Sequence, residues 1–280
     1  MIKFFVAGYA FLVGSMFGSF LNVCIARWPR DLSIVRPRSR CPHCGHQLAW
    51  FENIPLLSWM VLRARCRCCD ESISVQYPFV ELVVALWWMW SVMQFGPSLL
   101  ALRLAVFGTI LLGVAVTDWQ HYLIPDGFTV FGLFWTLATS LAGLFLFEQG
   151  PFVDPLEAIV GACAGAGLVA IIGWLGEVAL KKEAMGMGDV TLMAFAGAAL
   201  GPTRAILTVF LGAMLGAVAF PLIIYPLSRM KRAVPHDQTE LALGSSAFQM
   251  PLVPFGVFLA PAALATLLWG DAVRAWLLRG

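Results

Sequence analysis

Long apolar stretches run through this 280-residue sequence, and they restrict its fold more than any other feature. A helix of about 20 apolar residues crosses the hydrocarbon core of a lipid bilayer. Hydrophobic residues make up 60% of the chain and charged residues only 12%, and the mean hydropathy is +0.83. This is not the composition of a soluble globular protein. The chain is therefore predicted to be a polytopic membrane protein.

Eight of these stretches are predicted to be transmembrane helices, the sixth being short for a span. They comprise residues 4–26, 79–96, 99–117, 128–147, 156–179, 189–202, 203–226 and 252–273. Helices pair their own backbone groups inside a bilayer, whereas an open sheet leaves some unpaired. The ten-residue alternation typical of membrane barrels is absent from the sequence. The fold class is therefore predicted to be all-α.

The distribution of Lys and Arg predicts the orientation in the membrane. With eight spans, thirteen of these residues fall on one side: Arg27, Arg30, Arg36, Arg38, Arg40, Arg63, Arg65, Arg67, Lys181, Lys182, Arg229, Lys231 and Arg232. The other five fall on the opposite side: Lys3, Arg103, Arg204, Arg274 and Arg279. The richer side is expected to be cytoplasmic. The net charge of +2 conceals this asymmetry, and nothing in the sequence indicates binding of nucleic acid.

Residues 27–78, between the first span (1–26) and the remaining spans (79–280), are predicted to form a small cytoplasmic domain. Cys41-x-x-Cys44 and Cys66-x-x-Cys69 lie in this segment with 21 residues between the two pairs. Four thiolates in this pattern suit tetrahedral zinc, and a reducing compartment disfavours two disulfides. A site with four protein ligands is closed, so the predicted zinc is structural rather than catalytic.

Other residues near the four cysteines leave the ligand set open to alternatives. Cys68 is an additional thiol inside the second pair, and His43 and His46 flank the first pair. Any of these three could replace a cysteine as a ligand. We expect them to be bystanders because the four-cysteine set is already complete.

Two aspartates stand at the ends of apolar stretches, where a carboxylate is costly unless it is functional, paired or in contact with water. Asp118 closes the third span, and Asp189 opens the sixth directly after Gly186-Met187-Gly188. The predicted topology places both at the cytoplasmic edge of the membrane. Contact between the two carboxyl groups is therefore a hypothesis.

A close pair of carboxyl groups has a defined chemistry, because in a low dielectric the two cannot both ionise. The ionised group can draw a proton from water while the protonated group polarises a carbonyl, which hydrolyses a peptide without a metal ion. Gly186 and Gly188 are predicted to form an active-site loop that turns sharply and lets an extended peptide approach. The alternative is that Asp189 only caps its own helix. Asp126 is predicted to cap the next helix.

Several motifs occur in an order that resembles the type IV prepilin peptidases, the leader peptidase and N-methyltransferase family of bacterial inner membranes. The motifs are Gly18-Ser19-Phe20-Leu21-Asn22-Val23, the two cysteine pairs, Asn53-Ile54-Pro55, Asp118 with Leu123-Ile124-Pro125-Asp126, Gly186-Met187-Gly188-Asp189 (the GxGD signature) and Pro254-Phe255-Gly256. One departure is Thr191, where members of the family commonly have Lys.

The resemblance implies an aspartyl protease of 79–280 with Asp118 and Asp189 as its catalytic residues. It implies cleavage of the leader peptide of prepilins and pseudopilins, the subunits of type IV pili and type II secretion systems, at the cytoplasmic face of the inner membrane. It also implies methylation of the new N-terminus by S-adenosylmethionine. The sequence contains no Gly-rich nucleotide loop after a strand, so the residues that bind the methyl donor are not identified.

Two other classes of function are compatible with intramembrane carboxylates. In a transporter or channel, Asp118 and Asp189 would bind protons or cations, but both are predicted at one membrane face rather than at the midplane. A purely structural assembly subunit would leave both aspartates unexplained.

Three further expectations concern packing and loops. Glu81, at the start of the second span, is expected to meet a basic partner at the membrane rim. The glycine-rich stretch 161–167 is expected to allow close helix packing. Residues 228–250 are expected to form a mobile cytoplasmic loop.

Overall fold

The structure, a computed structural model, describes residues 2–147, 150–181, 185–220, 222 and 254–277, and within these parts it is helical without extended strands. Their helices are α1 (Ile2–Arg27), α2 (Leu57–Val61), α3 (Gln76–Phe95), α4 (Leu99–His121), α5 (Asp126–Phe145), α6 (Pro155–Leu180), α7 (Met187–Leu200), α8 (Pro202–Ala219) and α9 (Gly256–Leu277). Two 3₁₀ turns, Trp28–Arg30 and Trp50–Asn53, lie between α1 and α2. The all-α prediction is confirmed for the described residues.

Each of the eight predicted spans overlaps one of the longer helices. Among the described residues, six helices are long and apolar enough to cross a membrane, namely α1, α3, α4, α5, α6 and α8. The apolar helix α7 has only 14 residues, and the apolar part of α9, Gly256–Gly270, is also short. A helix of 14 residues extends about 21 Å, which is less than the hydrocarbon thickness of about 30 Å.

Local sequence signals determine several helix ends. The hydroxyl of Ser98 accepts a hydrogen bond from the Ala101 amide at 3.2 Å and caps the start of α4. Pro155 and Pro202 begin α6 and α8, where a missing N–H leaves no hydrogen bond unmade. Gly201, with φ +76°, ends α7 in a conformation that favours glycine. The turn at Gly201 brings α8 back beside α7.

The short helix α7 lies inside the helix bundle. All of its residues from Leu192 to Leu200 except Ala194 are buried, and it packs against α5, α6, α8 and α9. The ring of Phe195 also contacts that of Phe107 in α4, with centroids 5.1 Å apart. Because α7 is surrounded by other helices, it does not need the length of a lipid-exposed span.

Glycines allow α6 and α7 to approach each other closely. A Cβ atom added at Gly161 would lie 2.2 Å from the carbonyl oxygen of Gly197. A Cβ atom added at Gly165 would lie 2.4 Å from the carbonyl oxygen of Met193. The predicted close packing of the stretch 161–167 is thus confirmed at these two positions.

Helices α1 and α3 form an extensive pair that holds residues 28–75, termed here the cysteine module, at one end. A Cβ atom added at Gly18 would lie 2.6 Å from the Cα atom of Glu81. The Glu81 carboxylate accepts a hydrogen bond from the Leu56 amide at 2.8 Å. The prediction of a basic partner for Glu81 was therefore wrong for the described part of the chain.

Consecutive long helices run in opposite directions, so their ends lie alternately on the two sides of the bundle. The end of α4 and the starts of α5, α7 and α9 lie on the side of the cysteine module, termed here the module end. The expected loop 228–250 lies outside the described residues. So do five of the cations used to predict orientation: Lys182, Arg229, Lys231, Arg232 and Arg279.

Candidate active site and metal centre

The structure brings Asp118 and Asp189 together at the module end of the bundle. Asp118 lies in the last turn of α4 and Asp189 in the first turn of α7. The two side chains interact electrostatically although 71 positions separate them in the sequence. Asp118 is buried and Asp189 is half-buried. The two carboxyl groups are thus neighbours, one at the end of α4 and the other at the start of α7.

The first residues of α9 complete the surroundings of Asp118. The Val257 amide donates a hydrogen bond to Oδ2 of Asp118 at 3.1 Å. A Cβ atom added at Gly256 would lie only 2.9 Å from the same oxygen. Amides in the first turn of a helix have no intrahelical acceptor, and they favour a negatively charged one. The site therefore combines α4, α7 and α9.

Ile124 fixes the spacing of these segments. Its buried side chain lies between the starts of α7 and α9. A Cβ atom added at Gly188 would lie 2.9 Å from Cβ of Ile124, and one added at Gly256 would lie 2.8 Å from Cδ1. Both glycines are therefore sites of close approach to Ile124.

Gly186 and Gly188 do not form the sharply turned loop that was expected. Gly188 lies in the first turn of α7, and Gly186 precedes the helix with φ −79° and ψ 153°, which any residue can adopt. A Cβ atom added at Gly186 would have no neighbour closer than 3.9 Å. The two glycines differ in that Gly186 is open on its outer side and Gly188 is tightly packed.

The helix-capping alternatives have different outcomes. Asp189 is the third residue of α7, and the Gly186 amide is among the partners of its carboxyl group. This contact is compatible with catalysis because a carboxylate accepts several hydrogen bonds. For Asp126 the prediction of a cap was wrong, since Pro125 occupies the capping position and the α5 start has no side-chain cap. Thr191 donates to the carbonyl oxygen of Gly188 within α7 at 3.1 Å.

The four predicted metal ligands form one cluster in the cysteine module. The sulfur atoms of Cys41, Cys44, Cys66 and Cys69 all lie within 4.8 Å of one another. Sγ of Cys41 is 3.8 Å from that of Cys69, and Sγ of Cys44 is 3.9 Å from that of Cys66. Zinc–sulfur bonds of about 2.3 Å in a tetrahedron separate the sulfurs by about 3.8 Å. The cluster can therefore hold a zinc ion.

Two equivalent turns present these cysteines. Each turn is closed by two backbone hydrogen bonds. In the first turn, the Cys41 amide donates to His46 O and the Gly45 amide donates to Cys41 O. In the second turn, the Cys66 amide donates to Glu71 O and the Asp70 amide donates to Cys66 O. The residue four places after the first cysteine is left-handed in both, with φ +72° at Gly45 and +58° at Asp70. The cluster thus joins two copies of the same local structure.

The additional candidate ligands lie outside the cluster. Nε2 of His46 is 3.3 Å from Oε2 of Glu52, so its ring has a partner other than the sulfurs. The Ala49 amide donates to Glu52 at 2.8 Å, and this bond, with His46, holds the pKa of Glu52 below its usual value. His43 and Cys68 are exposed. Among the described residues, only the four predicted cysteines converge.

Comparison with known proteins gives relatives over most of the chain. A prepilin leader peptidase/N-methyltransferase of Myxococcus xanthus is 43% identical over 239 residues, covering 84% of this chain and 68% of that protein. Proteins of the same name from Stutzerimonas stutzeri and Aeromonas hydrophila are 34% and 33% identical, covering 95% and 96% of this chain and 91% and 92% of theirs. Residues 105–221 match the sequence model of the type IV leader peptidase family. The chain belongs to this family.

A second model, the bacterial peptidase A24 N-terminal domain, matches residues 12–95 of this leader peptidase family member. The match includes the cysteine cluster together with α3 and most of α1. The type IV leader peptidase match contains both aspartates but ends before Gly256 and Val257. No solved structure was found to match the chain.

Sequence reasoning assigned no role to Ile124 or Val257 in this leader peptidase. Both lie in or beside motifs that were recognised, Leu123-Ile124-Pro125-Asp126 and Pro254-Phe255-Gly256. The motifs marked the two segments as important. They did not indicate that Ile124 packs against Gly188 or that the Val257 amide bonds to Asp118. The Val257–Asp118 contact joins residues 139 positions apart, which local patterns do not reveal.

Proposed function

We propose that this protein removes the leader peptide of prepilins and pseudopilins with Asp118 and Asp189 as the catalytic pair. The observation that supports this most directly is that the two carboxyl groups lie near enough to interact electrostatically at the module end, where α4 ends and α7 begins. Relatives of up to 43% identity among those compared are named prepilin leader peptidases. A catalytic pair at a helix end is accessible to a substrate whose own apolar helix stays in lipid.

The mechanism follows from the closeness of the two groups. One carboxyl group keeps a proton because two adjacent negative charges in a poorly hydrated site repel each other. The ionised group takes a proton from water, which attacks the scissile carbonyl, and the protonated group donates a hydrogen bond to the carbonyl oxygen. The pair then passes a proton to the leaving amine as the C–N bond breaks. The pair titrates as a unit, so neither residue has a fixed role as acid or base. The Val257 amide positions Asp118 during these steps.

The open outer side of Gly186 suits the approach of an extended peptide to Asp189. Among the described residues, the nearest neighbours of a Cβ atom there would be Oδ2 of Asp189 and the Gly188 nitrogen, both at 3.9 Å. A substrate strand that lies along Gly186 would place its scissile bond near the half-buried Asp189. This assignment explains why the glycine that precedes α7 is not packed against any other helix of the described residues.

The four cysteines hold a structural zinc ion in this proposal. The sulfur separations of 3.8 and 3.9 Å agree with the tetrahedral value of about 3.8 Å. Zinc with four protein ligands has no open position for water, so it does not take part in hydrolysis. Its contribution is to fold a module that has few buried apolar residues of its own.

The second activity is methylation of the new N-terminal amine, for which S-adenosylmethionine supplies the methyl group. A cavity of about 320 Å³ lies between α1 and the cysteine module, with Arg27, Arg38, Trp50 and Asn53 among its lining residues. An Arg side chain suits the carboxylate of the donor, and an indole ring suits stacking on its adenine. We place the methyl donor in this cavity, on the side of the membrane where the new amine is formed.

We place the cysteine module and both aspartates on the cytoplasmic side of the bacterial inner membrane. Exposed arginines of the module support this orientation by the positive-inside rule. Transport is less well supported, because both carboxyl groups lie at one end of their helices rather than midway along a span.

The proposal is tested with purified protein, a prepilin and isotope-labelled methyl donor, and mass spectrometry of the product's N-terminus. The variants Asp118→Asn and Asp189→Asn are each expected to lower the cleavage rate by at least about a thousandfold, because each removes one member of the pair. Binding of the labelled donor should be retained in both variants. Asp126→Asn is the matched control, since Asp126 is exposed and does not pair with either residue.

Retained cleavage in either single variant would refute the paired-carboxylate mechanism. Metal content should equal that of the unchanged protein in all three variants, which shows that the module is folded. A product that is cleaved but never carries the labelled methyl group would leave the peptidase assignment in place and reject the transferase assignment.

A further inference from the structure

Helix α2 of the cysteine module exposes an apolar stripe that nothing in the described part of the chain covers. Leu57, Met60 and Val61 are 56%, 59% and 78% exposed. Their i, i+3, i+4 spacing places them on one face of the helix. The opposite face is attached to the module, because Ser58 donates to Ile54 O and the Trp59 indole donates to Ile73 O. The direction in which the stripe faces is therefore fixed relative to the rest of the module.

The start of α2 is held at the level of the membrane-spanning helices rather than above them. The Leu56 amide donates to the Glu81 carboxylate at 2.8 Å. Glu81 lies five residues after the start of α3 at Gln76, about 7.5 Å along the helix axis. It packs against Gly18, which is nine residues, or about 13.5 Å, before the end of α1. A glutamate side chain is shorter than one helical turn, so Leu56 lies level with the first turns of α3.

The backbone conformation of Leu56 indicates that its surroundings hold it in place. Its φ of +63° is unusual for a residue with a branched side chain, and such conformations persist where surrounding contacts impose them. The Glu81 carboxylate that holds its amide is buried. At the same depth, Nδ2 of Asn22 in α1 donates to the carbonyl oxygen of Tyr77 in α3, which holds the two helices that flank the module together.

The charges that follow α2 identify the surface that it contacts. Arg63 and Arg65 come directly after the helix, both are exposed, and neither has an ion pair within the described residues. An apolar stripe flanked by cationic side chains is typical of helices that lie in a membrane interface. Anionic lipid headgroups attract such cations, and their long side chains reach the headgroups from a buried backbone.

We propose that α2 is an interfacial helix embedded in the bilayer leaflet at the module end. Leu57, Met60 and Val61 contact acyl chains there, and Arg63 and Arg65 contact lipid headgroups. The occupant is lipid rather than a protein, because the stripe lies level with a lipid-facing part of α3 where Phe79 and Leu82 are exposed. The module is thus attached to the membrane at three places, α1, α2 and α3, and its segment 54–62 is not in the aqueous phase.

Photocrosslinking tests this proposal directly. The photoreactive residue benzoylphenylalanine is placed at position 60 in the full-length protein, which is reconstituted in nanodiscs containing phosphatidylglycerol and no substrate. The matched control carries the same residue at position 71, because Glu71 is exposed in the second cysteine turn and lies outside α2, ten residues after its end. After irradiation and digestion, mass spectrometry is expected to find lipid acyl-chain adducts at position 60 and at least tenfold fewer at position 71.

A second label at position 61 gives an independent measurement if the first variant does not fold. Retained metal content shows in each case that the module is intact. Equal lipid labelling at positions 60 and 71, or adducts at 60 and 61 only with a second copy of the protein, would overturn the proposal. The result does not depend on peptidase activity, so it can fail or succeed independently of the proposed function.

Discussion

Gly186 and Gly188 stand on either side of Met187, but a methyl group added at each would meet different surroundings. At Gly188 it would lie 2.9 Å from the Ile124 side chain and 3.3 Å from the Ile124 carbonyl oxygen. At Gly186 its nearest neighbour would be 3.9 Å away. The position of the Asp189 backbone therefore depends on the absence of a side chain at Gly188, not at Gly186.

The substitution Gly188→Ala is expected to destabilise the protein by about 1–3 kcal/mol, because Ile124 or the start of α7 must move. The gain in helix propensity, about 1 kcal/mol, does not offset this strain. Thermal unfolding in detergent measures the stability, and the same samples give the leader-cleavage rate, which is expected to fall as well.

Gly186→Ala is the matched control for stability, and it should unfold within about 0.5 kcal/mol of the unchanged protein. If a substrate strand lies along Gly186, the Gly186→Ala variant should have a higher KM for the prepilin, while its thermal stability stays the same. Equal stabilities of the two alanine variants would show that the contact with Ile124 does not constrain α7.

Among the elements of the fold, the two cysteine turns contribute equally to the candidate metal site. Each supplies two sulfurs, and each has the same pair of backbone hydrogen bonds. A tetrahedral ion needs all four sulfurs, so neither turn is expected to hold it alone. Loss of a ligand from either turn should have the same effect.

Cys41→Ser and Cys66→Ser are each expected to reduce the zinc content from about one ion per chain towards zero and to expose the module to protease. Elemental analysis of purified protein measures the zinc. Cys68→Ser is the matched control, because this exposed thiol lies outside the cluster and its loss should leave the metal in place. Unchanged zinc in Cys41→Ser or Cys66→Ser would reject the four-cysteine site.

The contact between α6 and α7 supports a second element-scale prediction. Gly165→Ala is expected to force these helices apart, since its Cβ would lie 2.4 Å from the Met193 carbonyl oxygen, and to cost about 1–3 kcal/mol. Gly167→Ala should have no such cost, because no described residue outside the neighbouring backbone of α6 has an atom within 4 Å of the added carbon. Thermal unfolding of the two variants measures the difference. A Gly165→Ala protein as stable as Gly167→Ala would contradict the close approach.

The long helices and the cysteine cluster could be predicted from the sequence because their signals are local. Hydropathy marks a span over about 20 consecutive residues, and two Cys-x-x-Cys pairs mark the metal ligands. Helix α2 could not be predicted in this way, since its start depends on a bond from Leu56 to Glu81, 25 residues away. The error at Asp126 has a local cause, because Pro125 already occupies the position before the helix.

The candidate active site could be predicted only in part for a similar reason. The two aspartates are conspicuous because each ends an apolar stretch, and the topology placed both on one side. The hydrogen bond from Val257 and the packing of Ile124 against two glycines depend on how α4, α7 and α9 come together. Such contacts arise from tertiary packing, and they have no periodic signal.

At the scale of the whole molecule, the proposed orientation places the cysteine module in or next to the cytoplasm. Cys68 is a suitable reporter of this sidedness because its thiol is exposed and outside the metal cluster. The remaining non-ligand cysteines, Cys24 and Cys163, lie within the spanning helices α1 and α6. A water-soluble thiol reagent therefore has one accessible target in the described residues.

A membrane-impermeant maleimide is expected to label Cys68 in inverted inner-membrane vesicles and not in intact spheroplasts, because the positively charged side faces the cytoplasm. Mass spectrometry of the labelled peptide measures the site. Cys68→Ser should abolish the signal. Labelling in intact spheroplasts would reverse the proposed topology.

The hydrogen bond from Val257 to Asp118 has a consequence for shortened forms of this protein. A gene interrupted after residue 221 would still encode both acidic residues and the whole segment that matches the leader peptidase model. Such a product would match the leader peptidase model in full, yet it would lack Pro254-Phe255-Gly256, and Asp118 would lose the amide that orients it. We expect it to insert into the membrane as an inactive pseudoenzyme, which co-expression of the missing C-terminal piece could rescue.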